Sequence, residues 1–155
     1  MTPAVRVLIA IVLGILLVAC MNPRDRRPGL WLSGEVATEL PGDWSFTDAH
    51  AEIAIEVRPP YWLRHSVTIW CGSLDGDLYV GARAPETKRW PGWADRNPDV
   101  RLLIDGLIYE VRLEPLDETE VLGRVGRVYA AKYELPELPP EGAPSFRYWR
   151  VMPRG

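Results

Sequence analysis

Residues 67–82 read VTIWCGSLDGDLYVGA, two β-rich runs on either side of an Asp-Gly pair. Val67–Cys71 and Leu78–Ala82 carry the β-branched and aromatic residues that suit a pleated strand, and Asp75-Gly76 is a strong signal for a tight hairpin. The two runs therefore read as paired antiparallel strands. The same grammar recurs downstream: Val100–Ile104, then Asp105-Gly106, then Leu107–Leu113 with Leu107, Tyr109, Val111 and Leu113 on one face. Upstream, Glu52–Arg58 alternates strictly, placing Ile53, Ile55 and Val57 on one face and charges on the other, as in a half-buried strand. Pro59-Pro60 ends it, because proline cannot donate to a ladder. A last strand is expected over Ser145–Met152.

Two helices fit between these strands. KRWPGWADRNPD, residues 88–99, suits a short helix stopped at Asn97, since the residue before Pro98 is disfavoured in helical geometry. Asp117-Glu118-Thr119-Glu120 reads as an N-cap with an acidic third position, followed by Val121, Val125, Val128 and Tyr129 at helical spacing. Gly123 and Gly126 weaken that helix by up to ~1 kcal/mol each, unless close packing against the sheet needs their missing side chains. A proline-rich loop, Pro136–Pro144, precedes the last strand.

The amino-terminal reading concerns location. Val7–Ala19 is an unbroken apolar run, VLIAIVLGILLVA, preceded by Arg6 and followed by Cys20. It falls short of the ~20 residues a membrane-spanning helix needs and fits the apolar core of a secretory signal. Leu17-Val18-Ala19-Cys20 resembles the lipobox of bacterial lipoproteins, which makes Cys20 the expected lipidation site. The alternative is an uncleaved anchor from Val7 to Met21, favoured by Arg24, Arg26 and Arg27 on its far flank. Both readings make the membrane a partner through the amino terminus, at the bacterial cell envelope. The expected division is residues 1–20 as signal and lipobox or anchor, 21–29 as a polar tether, and 30–155 as the folded domain. With Cys20 lipidated, Cys71 has no partner for a disulfide and is expected to pack as a small buried hydrophobe.

Composition removes several functions. Lys and Arg number 18 against 21 Asp and Glu, a net charge of −3, so nothing global draws the chain to nucleic acid. His50 and His65 are the only histidines, with no HExxH pattern and no cysteine pair at zinc spacing, so no metal is expected. His65 and Ser66 are neighbours in an extended run and point to opposite faces, which denies them a nucleophilic dyad. The sequence has no GxGxxG, no P-loop and no nucleophile-elbow serine.

Hairpin, short helix, hairpin, longer helix and closing strand is the order of the split β-barrel of flavin-binding proteins. Asp43-Trp44-Ser45-Phe46, His65–Trp70, Asp77–Val80, Arg89-Trp90-Pro91, Asn97–Leu102 and Ala131-Lys132-Tyr133 resemble uncharacterised bacterial members of that superfamily. The pattern is related to the pyridoxamine phosphate oxidase and deazaflavin-dependent nitroreductase families. The resemblance implies a mainly β fold with α: an antiparallel split β-barrel with one main and one short helix, preceded by an apolar amino-terminal helix. It places a cofactor, FMN or deazaflavin, between barrel strands and the loop before the short helix, at Arg64, His65, Ser66, Arg83, Lys88, Arg89 and Trp90. Where deazaflavin-dependent relatives carry Gly-Arg-x-Ser/Thr-Gly, this chain has Arg58–His65, RPPYWLRH. Trp90 and Trp93, three apart, either present rings to a planar ligand or, like the other tryptophans, fill the barrel core or lie at a membrane-facing surface. The expected function is a membrane-tethered oxidoreductase of a small molecule; the alternative is a non-catalytic ligand- or partner-binding lipoprotein. Split barrels commonly pair, so the resemblance also implies a homodimer.

Overall fold

The computed structural model describes residues 2–19, 22–23, 27–136 and 145–155. Among these residues are seven strands, β1 (Glu35–Val36), β2 (Ile53–Val57), β3 (His65–Leu74), β4 (Asp77–Arg83), β5 (Asp99–Ile104), β6 (Leu107–Pro115) and β7 (Phe146–Pro153), and three α-helices, α1 (Pro3–Ala19), α2 (Trp90–Arg96) and α3 (Thr119–Lys132). Strands β2–β7 close into a six-stranded antiparallel barrel in the order β6-β5-β2-β3-β4-β7, with β7 pairing back onto β6. The six strands expected from sequence all lie in this one barrel.

Both Asp-Gly pairs make two-residue turns. Asp75 and Gly76 have φ of 55° and 84°, and Asp105 and Gly106 have 51° and 79°, so both central positions are left-handed, as a type I′ turn requires. Leu74 then faces Asp77 and Ile104 faces Leu107, and each register follows from its turn. The interior fills with Ile55, Val57, Leu78, Val80, Val100, Leu102, Val111 and Leu113, and Cys71 packs among them as a buried free thiol. Helix α2 packs Trp90, Trp93 and Ala94 into this core, so the two tryptophans take the core-filling role. Asn97 is extended, and α2 stops before Pro98 as expected. Asp95 ties the helix to β7, accepting from Arg147 at 2.6 Å and from the Trp149 indole at 3.3 Å.

Three expectations are corrected. First, the outer face of β2 is not solvated. Glu56 is 2% exposed, because residues 29–33 lie across it: Gly29 bridges Ser66, and the Leu32 amide donates to Glu56 at 2.8 Å. Arg101 pairs with the same carboxylate at 3.0 Å, so the buried charge is compensated. Second, α3 begins at Thr119 behind Glu118, with no side-chain cap, rather than behind Asp117. The chain is still bound to the sheet at that point, the Leu116 amide donating to the Tyr148 carbonyl at 3.0 Å. Third, a Cβ at Gly126 would meet nothing within 4 Å and one at Gly123 only Arg127 at 3.8 Å, so neither serves packing against the sheet. The close approach is made from the sheet side, at Gly72 and Gly81, which receive the ring of Tyr129.

Helix α1 is a 17-residue apolar segment whose Val5, Val7, Leu8, Ile11 and Leu13 side chains are exposed. Among the described residues no helix is long and apolar enough to cross a membrane. Cys20 and most of the Pro136–Pro144 loop lie outside the described residues.

Candidate functional site

The β3–β4 hairpin, with residues from both of its faces, and the loop leading to α2 border an open cavity of about 550 Å³. Its apolar wall comes from Val67, Ile69, Trp70, Ala82 and Trp90, and its rim carries the cations Arg27, Arg83, Lys88 and Arg89. Glu52, His65 and Thr68 complete the lining. The volume and the apolar wall with a few charged groups are those of a small-ligand site.

Local geometry builds the cationic rim. β4 ends at Arg83, and Ala84 turns the chain with φ 50°, a left-handed conformation that is strained for a residue with a Cβ. Its amide donates to the Ser145 carbonyl at 2.7 Å and its carbonyl accepts from the Thr87 hydroxyl at 2.8 Å, which holds the turn. The Lys88 ammonium donates back to the Arg83 carbonyl, closing the loop on itself. Pro91 occupies the first turn of α2, where a missing amide hydrogen is tolerated.

Of the residues expected at the site, His65, Arg83, Lys88, Arg89 and Trp90 line this cavity. Arg64 does not: its Nε lies 3.9 Å from Glu56, and it lines a separate hollow with Arg58 and Arg96. Ser66 is fully buried under Gly29, with which it exchanges two backbone hydrogen bonds of 2.8 and 3.0 Å. His65 stands edge-on to Trp93 at 5.1 Å. Burial, and secondarily the charge of Arg89, lowers its pKa below the ordinary 6.5, so its imidazole is neutral at pH 7. Trp90 offers no free face, being buried and tilted on Trp149 at 5.1 Å.

The lining residues missed by sequence reasoning come mainly from the hairpin itself, Val67–Trp70 and Gly81-Ala82. Trp70 sits opposite Gly81 and is stacked on Tyr133 at 4.2 Å and 8° between planes. Tyr133 in turn completes the β3 backbone where β2 has run out. Its hydroxyl accepts from the Cys71 amide at 2.9 Å and shares its hydrogen between the carbonyls of Cys71 and Ala51, at 2.8 and 2.9 Å. Burial raises the Tyr133 pKa far above 10, which keeps this hydroxyl a donor. The wall of the cavity is thus held rigidly by α3. His50, the other histidine, faces Asp105 at 3.1 Å. Among the described residues no group of three or more His, Cys, Asp or Glu side chains is placed to hold a metal ion.

A closed six-stranded antiparallel barrel accompanied by a short and a longer helix has the architecture of the split β-barrel class. Two solved structures share the architecture. One is the conserved hypothetical protein Rv2991 from Mycobacterium tuberculosis, 21% identical over 71% of this chain and 77% of that one, with a TM-score of 0.56. The other is a pyridoxamine 5'-phosphate oxidase-like protein from Listeria innocua, 18% identical over 70% of this chain and 87% of that one, with a TM-score of 0.51. No curated protein matches the chain. Residues 46–141 match the family described as uncharacterized protein conserved in bacteria (DUF2255), and the chain belongs to that family.

Proposed function

We propose that the cavity on the β3–β4 hairpin takes a phosphorylated planar cofactor of the flavin class, FMN or a deazaflavin, and that the protein is an oxidoreductase of a small molecule. The observation that carries this reading is the pairing of an apolar, aromatic wall with a cationic rim in one cavity of about 550 Å³. Arg83 and Arg89 are exposed and make no ion pair among the described residues, which leaves both guanidinium groups available for a phosphate. Trp70, stacked on Tyr133 and packed against Phe146, contributes its indole to the apolar lining. Neutral His65 adds a hydrogen-bonding group without a second charge. When bound, such a cofactor supplies the hydride or electron transfer, and the chain's residues orient it and exclude water. The likeness to the Listeria innocua protein supports the same class of ligand through fold.

The test is a titration of the full chain with FMN and with a deazaflavin, followed by visible absorption and fluorescence. A saturable change is expected with one of them. Arg83→Ala and Arg89→Ala should each weaken binding by about 1.5–3 kcal/mol, the worth of a charge-assisted hydrogen bond. Unchanged affinity in both variants would move the site away from this rim.

The same reading tethers the protein to a membrane of the bacterial envelope. It rests on the apolar sequence of α1 and on Leu17-Val18-Ala19-Cys20, with the lipid on Cys20. Cys20→Ser is expected to abolish labelling by a fatty-acid probe in cells. Persistent labelling would leave an uncleaved anchor as the mode of attachment.

A further inference from the structure

The loop joining β2 to β3, Arg58–Arg64, reads RPPYWLR and passes beside α2. It carries the most exposed large apolar side chain among the described residues: Trp62 is 83% exposed, and Tyr61 beside it 48%. Arg58, Arg64 and Arg96 surround a hollow of about 460 Å³ at this loop, and no carboxylate is among its lining residues. Arg64 reaches Glu56 only at 3.9 Å, and Arg58 and Arg96 make no ion pair among the described residues. The whole chain carries a net charge of −3, so this cationic face is a local concentration against an acidic background.

The loop is held at its base. Tyr61 stands edge-on to Trp93 at 5.8 Å, and Trp93 is buried in the core, so the neighbouring indole is presented from a fixed support. Behind the loop, Arg64 faces Glu56, and Glu56 accepts from the Leu32 amide at 2.8 Å, which ties the base of the loop to the segment lying across β2.

We infer that this face docks the barrel onto an anionic phospholipid surface, with Trp62 in the headgroup region and Arg58, Arg64 and Arg96 against lipid phosphates. Indole is the side chain that bilayer interfaces favour, being apolar in body with one donor at its edge. Guanidinium matches phosphate oxygens in a bidentate manner, and clustered arginines are drawn to the negative surface potential of anionic lipid. A purely apolar partner surface would leave three arginines desolvated, and a free small anion would make no use of an exposed Trp62. This inference is independent of the cofactor reading, because it uses none of the residues of the hairpin cavity.

The experiment places the full chain in lipid nanodiscs of phosphatidylcholine alone or mixed with phosphatidylglycerol, each containing lipid brominated near the headgroup, and measures tryptophan quenching. In the anionic discs quenching is expected, and Trp62→Phe should remove it without altering the fold, since the side chain lies outside the core. Arg58→Ala and Arg96→Ala should each reduce the docked-to-undocked ratio about fivefold, and high salt should reverse docking. Quenching of Trp62 in anionic but not neutral discs supports the inference even if the chain fails to bind neutral discs, a result that would count against α1 as an anchor. Equal quenching in both discs, or a disc-bound chain with Trp62 unquenched in anionic lipid, would overturn it and turn the face towards solvent or a protein.

Discussion

Tyr129→Ala is expected to destabilise the protein by about 3–5 kcal/mol, the range for deleting a fully buried aromatic ring. The ring is the contact through which α3 grips the barrel. It lies flat on the backbone of the β3–β4 hairpin, and its hydroxyl is 3.1 Å from both the Trp70 and Tyr79 carbonyl oxygens. That approach is possible only because residues 72 and 81 have no side chain. A Cβ at Gly81 would stand 2.8 Å from the Tyr129 ring and one at Gly72 would stand 3.0 Å from Val128. Gly81→Ala should therefore cost about 1–3 kcal/mol by overpacking. The two losses should not add, because a methyl group at 81 finds room once the ring is gone, and the double variant should resemble Tyr129→Ala alone. Urea unfolding midpoints of the four proteins, at a common slope, measure the coupling. Fully additive losses would mean that α3 does not rest on the backbone at Gly81.

Glu56→Ala should cost about 3 kcal/mol, because it removes the buried partner of an ion pair and leaves Arg101 only Glu110 at 3.6 Å. Arg101, with its side chain 21% exposed, loses a carboxylate at 3.0 Å, and the Leu32 amide loses its acceptor at 2.8 Å. The part-exposure of Arg101 lets water recover some of that loss, which keeps the cost from being larger. The second readout is local. Residues 27–33 should become sensitive to protease while the barrel itself remains folded, since their main attachment to β2 is gone. Glu56→Gln keeps an acceptor for the Leu32 amide and should give a smaller loss with less cleavage. Equal behaviour of Glu56→Ala and wild type in both assays would show that the segment is held by its apolar contacts, Leu32 with Ala54 and Ile108, alone.

Part of the candidate site is legible in the sequence. Once Asp75-Gly76 is taken as a two-residue turn, counting back along the hairpin sets Trp70 opposite Gly81, and both line the cavity. The rim at Lys88 and Arg89 was found through the loop before α2. The resemblance places Arg64 and Ser66 with that rim as well, but a likeness of pattern says nothing about what covers a residue.

The sequence by itself determined the elements that depend on short windows. Asp75-Gly76 and Asp105-Gly106 make their turns because both central positions must be left-handed; Ile53, Ile55 and Val57 point inward because a strand alternates with period two; α2 stops at Asn97 because Pro98 follows. Tertiary structure alone decided what each outer face meets. Glu56 looked like a solvent-facing charge in an alternating strand, and it is buried because a segment 24 residues earlier lies across it. Ser66 left the candidate site for the same reason, under Gly29. Burial of a face is set by whichever distant segment covers it, and no local period or turn encodes that covering.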